Sequence, residues 1–80
     1  MYIQTYLGDL VFIFTKHALQ KIDALGLEKR EIEQTVKEGM KWKEKDSDKW
    51  HAQMAGIEVV FVKQEKDLFI ITVYLAGRLK

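Results

Sequence analysis

The sequence predicts an α+β fold in which an antiparallel β-sheet carries helices on one face. Three observations point there. Two β-rich runs open the chain, two helical patterns with their own start and stop signals follow, and the remainder alternates apolar and polar residues with period two. Strands thus cluster in sequence instead of alternating with helices, which separates this class from the parallel α/β folds.

The elements follow in order. "YIQTYL" and "LVFIF" flank Gly8-Asp9, a hairpin signal because glycine accepts positive φ at the first turn position, so Tyr2–Leu7 and Leu10–Phe14 are expected to pair. Thr15 is placed to cap a helix, and Ala18, Leu19, Ile22 and Leu25 recur at helical spacing until Gly26 offers a left-handed stop. In "EKREIEQTVKEG" acidic residues fill the first turn, Ile32 and Val36 share a face, and Gly39 is a second stop. A four-stranded meander is expected to follow. In its first hairpin, with Asp46 to Asp48 as the loop, Lys43 falls across from His51, and Lys41, Lys43 and His51 gather on one side. Met40, Trp42, Trp50 and Met54 then crowd the other side as an apolar patch. "IEVVFV" and "LFIITVYL" read as central strands, with Val60, Val62, Phe69, Ile71, Val73 and Leu75 facing the helices and Thr72 and Tyr74 facing away.

Composition bounds the function. A chain of 80 residues is read as one domain spanning 1–80, small enough that a dimer or another partner would help cover its core. With 48% hydrophobic and 31% charged residues it is expected to fold without a ligand. A net charge of +1 gives no strong global field, so any nucleic-acid contact must come from a local group of lysines. The absence of cysteine excludes disulfides, thiolate metal sites and a cysteine nucleophile. No apolar run approaches the roughly 20 residues of a membrane span, so no membrane association is expected and the cytoplasm is the expected compartment. Neither the two histidines nor the scattered carboxylates show a ligand spacing, so no metal and no cofactor is expected.

His17, in "TKHAL", stands one turn inside the first helix with Lys21 one turn later on the same face. It is either a chemical group or a polar residue on a solvated face. The combination of "FTKHAL", the nearby "GL", "EIEQTVKEG" and "IITVY", over residues 12–75, resembles small uncharacterised bacterial and archaeal domains that open with a helical His-Ala-Leu. Those domains are grouped with the RelE-like toxins and the barnase, colicin and EndoU ribonucleases.

The resemblance implies metal-independent RNA cleavage by attack of a 2′-hydroxyl on its own phosphate, within a toxin–antitoxin pair. That chemistry needs a base, an acid and a cation at the phosphorane. His17, Lys21 and Tyr74 are the catalytic set it implies, with His51 a second imidazole able to act as acid or base, and Lys16, Lys41, Lys43, His51 and Arg78 are the expected RNA contacts. RNA, an antitoxin protein and a second copy of the chain are the expected partners. Lys21 and Leu25 stand where the family pattern has arginines, and lysine offers a mobile point charge in place of a planar fork. An inactive member of the same fold, acting as a homodimer or a binding module, is the alternative.

Overall fold

A computed structural model describes residues 3–76. The order of elements is β1 (Ile3–Leu7), β2 (Leu10–Phe14), α1 (Lys16–Ala24), α2 (Lys29–Glu38), β3 (Met40–Lys43), β4 (Lys49–Met54), β5 (Ile57–Gln64) and β6 (Asp67–Leu75). Local chemistry accounts for the ends. Gly8 takes φ 61° in the first hairpin turn, the Thr15 side chain accepts the Ala18 N–H at the start of α1, and Gly26 takes φ 71° just beyond its end. At α2 the Glu28 N–H donates to Glu31 Oε1 at 2.8 Å, the return half of a capping box.

The six strands form one mixed sheet in the order β1-β2-β6-β5-β4-β3, where an antiparallel sheet was expected. Neighbours within β3–β6 are antiparallel, but β2 pairs with β6 in parallel, Phe12 beside Leu68 and Phe14 beside Ile70. Topology explains the difference. Two consecutive short helices return the chain to the end of the sheet where β2 stops, so β3 runs against β2, and three further reversals leave β6 running with it.

One face of the sheet carries the core. Phe12, Phe14, Val59, Phe61, Leu68, Ile70 and Val73 pack there with Ala52 and Ile57, against Ala18 and Ile22 of α1 and Ile32 and Val36 of α2. The expected faces of the last two strands are corrected, and β6 carries a β-bulge. Phe61 pairs with Ile70 but Val60 pairs with Thr72, so Ile71 is an extra residue in β6 and its alternation inverts there. In β5 the unbroken alternation Ile57, Val59 and Phe61 faces the helices, not Val60 and Val62, and in β6 Leu68 and Ile70 do so in place of Phe69 and Ile71. Val73 is in the core as expected, Leu75 is exposed, and the inversion keeps Thr72 and Tyr74 on the opposite face.

The β3–β4 hairpin is also shifted by one residue from the expected register. Trp42 lies opposite His51 and Lys43 opposite Trp50. The loop has four residues, closed by the Glu44 N–H to Lys49 O at 2.9 Å with Asp46 at φ 60°, and an even loop brings the two alternations together out of phase. Lys41 and Lys43 consequently share the helix side with Trp50 and Ala52, where Lys41 Nζ donates to the carbonyls of Lys37 and Gly39 at the end of α2, both at 3.1 Å. The four-residue patch is divided. Met40 and Trp42 are on the open face, while Trp50 packs against the core.

Candidate functional site

The site is assembled where α1 meets β6. Strand β2 ends beside Ile70, whereas β6 continues to Leu75, so from Ile71 onward that flank of β6 is left to α1. Thr15 fixes the junction. Its N–H and its hydroxyl both donate to Ile70 O, at 3.3 and 2.9 Å, while its Oγ1 accepts from the Ala18 N–H at 3.2 Å. With the first turn of α1 held against β6, Ala18 and Ile22 turn into the core, and His17 and Lys21, one turn apart, turn to the open side. His17 Nε2 lies 3.1 Å from Thr72 Oγ1, and Lys21 Nζ stands 5.6 Å from the centre of the Tyr74 ring. The second contact is a cation–π pair, with the Tyr74 ring exposed.

Pairing register extends these contacts into two rows across the open face. The first runs Trp42, His51, Val60, Thr72 and on to His17; the second runs Gln53, Glu58, Tyr74 and on to Lys21. Both histidines thus belong to one row, with β4 and β6 about 10 Å apart at the usual strand spacing. Val60 between them is nearly excluded from water, as is Thr72.

His51 is clamped. Nδ1 lies 2.7 Å from Glu58 Oε2, Nε2 lies 2.6 Å from Glu44 Oε2, and Trp42 stacks on the ring at 5.1 Å between centroids and 8° between planes. Ionised carboxylates only accept hydrogen bonds, so engaging both nitrogens requires both to donate, which is the imidazolium form. Burial works against that charge, but the hydrogen bonds His51 donates to Glu44 and Glu58, with their negative charges, outweigh it and raise the His51 pKa above 6.5. The stacked indole also favours a cation. The protonated form of His51 is thereby favoured between Glu44 and Glu58.

Of the residues expected to act together, His17, Lys21 and Tyr74 converge, with His51 at the far end of the same face. Lys16 is exposed in the first turn of α1, beside His17 in sequence. Lys41 and Lys43 point to the helix side, away from His51, because of the one-residue shift in register. Arg78 lies outside the described residues. Sequence reasoning missed Glu44 and Glu58 as the partners of His51, Trp42 as its stacking plane, and Thr72 as the partner of His17. A signal was available. Glu44 and Glu58 stand seven residues before and after His51, a spacing that two consecutive hairpins bring together. Among the described residues no group of three or more side chains is arranged to hold a metal ion, and no helix is long and apolar enough to cross a membrane.

The chain belongs to the family described as a domain of unknown function (DUF4258), which matches residues 14–75. That match begins at Phe14, directly before the Thr15 cap, and ends at Leu75, so it contains every residue of the two rows. No curated protein and no solved structure matches the chain.

Proposed function

We propose that the open face is an RNA-cleaving surface and that the protein is a toxin-like, metal-independent endoribonuclease related to the RelE-like toxins. What supports the reading is the convergence of His17, Thr72, Lys21 and Tyr74 where α1 meets β6. In the reaction, the 2′-oxygen of one nucleotide forms a bond to the adjacent phosphorus and the bond from phosphorus to the 5′-oxygen breaks. His17 Nδ1 takes the 2′-hydroxyl proton, while Nε2–H donates to Thr72 Oγ1 across the 3.1 Å contact and so orients the ring. Lys21 stands beside it as the charge for the phosphorane oxygens. The Tyr74 hydroxyl supplies the proton that the leaving 5′-oxygen requires, and the products are a 2′,3′-cyclic phosphate and a 5′-hydroxyl.

The same face has features suited to a single strand. Trp42 and Tyr74 are exposed aromatic planes in adjacent rows, on which unpaired bases can stack. His51, with both ring nitrogens engaged, acts in this scheme as a positioning residue that holds Trp42 in place. An antitoxin protein would inhibit by covering this face, in the cytoplasm where both would meet RNA.

The second reading is an inactive member of the same fold that binds RNA or protein, alone or as a homodimer. One observation favours it: Glu44 and Glu58 place carboxylates on the face a phosphate would approach, while lysine and leucine occupy positions 21 and 25, where the resemblance places arginines. The two readings separate in one assay. Cleavage of single-stranded RNA in the presence of a chelator, yielding cyclic phosphate ends and falling about a hundredfold or more in His17→Ala, is the expected result. Undiminished cleavage in that variant rejects His17 as the base, and RNA binding without cleavage selects the second reading.

A further inference from the structure

The two helices are too short to cover the helix side of six strands, and what they leave bare is concave. Beside α2 lies a half-open cavity of about 310 Å³. Its floor is Val36, Phe61 and Leu68 from the core, with Leu10 and Trp50 as half-exposed walls. Its mouth carries Lys37 from α2, Lys41 from β3 and Lys63 from β5, all exposed, and no acidic residue lines it. Among the described residues none of these lysines has an ion-pair partner.

The two halves of this lining call for different chemistry. Apolar walls offer water no hydrogen-bond partners, so an apolar body displaces that water favourably. Three ammonium groups at the rim favour an anion at the entrance, and lysine heads, being mobile point charges, impose no planar fork on it. The volume lies at the low end of the roughly 300–1,000 Å³ of small-molecule pockets, which excludes a dinucleotide-sized ligand.

We infer that this cavity binds a small amphipathic anion, a medium-length acyl chain ending in one carboxylate, with the chain on Trp50, Phe61 and Leu68 and the carboxylate among Lys37, Lys41 and Lys63. The site is on the face opposite His17 and does not depend on the RNA reading. Lys41 is the best fixed of the three charges, because its Nζ is hydrogen-bonded to Lys37 O and Gly39 O at the end of α2.

The test uses the protein's own indole. In a Trp42→Phe background Trp50 is the sole tryptophan, and decanoate is titrated below its micellar concentration at fixed ionic strength. A saturable blue shift of Trp50 emission, with half-saturation at about 0.1–1 mM, is expected. Replacing Lys37, Lys41 and Lys63 together by glutamine should weaken it at least about fivefold while leaving the weaker binding of decanol unchanged. Val36→Phe, which fills the cavity, should abolish both. The lysine positions are exposed, so that variant decides the matter even if Val36→Phe does not fold. Absence of a saturable shift, or equal half-saturation in the lysine variant, overturns the inference. A shift that instead follows protein concentration without decanoate, reporting a second copy in the cavity, also overturns it.

Discussion

The two faces of the sheet are buried in different ways. On the helix side, Phe12, Phe14, Val59, Ile70 and Val73 are wholly excluded from water by side chains of other elements. On the open face Val60 and Thr72 are nearly as buried, yet their cover comes from neighbours in their own row and from His17 of α1, and the contacts there are largely polar. The difference separates two tasks. One face holds the fold by apolar burial, and the other is free to keep ionisable groups in fixed positions, because its removal costs the core little.

The largest expected effect follows directly. Phe14→Ala should destabilise the protein by about 3–5 kcal/mol, a large share of the roughly 4–12 kcal/mol available to a domain of this length. Trp42→Ala, on the open face, should cost about 1 kcal/mol. Urea unfolding of both variants checks the contrast. Comparable losses would mean that the open face also bears the fold.

A smaller loss is expected at the seam between α2 and β4. Gly39 has an ordinary φ of −75°, but a Cβ there would lie 2.5 Å from Thr35 O and 2.7 Å from Gln53 O, both backbone atoms that cannot step aside. Gly39→Ala should therefore cost about 1–3 kcal/mol by forcing α2 off the strand. A neutral outcome in the same unfolding experiment would show that α2 is free to shift, and with it the cavity floor.

The smallest effect distinguishes the faces by pH. The folded-state pKa of His51 is raised, so the stability contributed by its clamp is fully present below the unfolded value near 6.5 and is lost as pH rises through the higher folded value. The stability gap between wild type and His51→Gln should accordingly narrow from about pH 6 upward. A gap that widens with pH would contradict the imidazolium assignment. No such dependence is expected of Phe14→Ala.

Legibility in the sequence followed the same division. Local signals were sufficient for the elements: Thr15 capped α1 as its hydroxyl suggested, Gly26 and Gly39 marked both helix ends, and Gly8 turned the first hairpin. The pairing of His17 with Lys21 on one side of α1 was readable because it depends only on helical spacing. Relations across strands were not. The bulge at Ile71 inverts an alternation that looks unbroken in "LFIITVYL", and the even loop before Lys49 moves Lys41 and Lys43 to the side opposite His51. Neither leaves a local mark, since each is decided by which partner fits best across the sheet. The clamp around His51 was hidden for the same reason, being built from three strand segments whose register has to be known first.

The central claim is that RNA meets the open face beside α1. The most direct measurement is NMR titration of the 15N,13C-labelled protein with a short single-stranded RNA whose 2′-hydroxyls are replaced by 2′-methoxy groups, so that it binds without being cleaved. The account predicts shifts concentrated at His17, Lys21, Thr72, Tyr74 and the Trp42 indole, with Lys37, Lys41 and Lys63 on the far face unmoved. Shifts confined to those three lysines, or none at all at millimolar RNA, would contradict it.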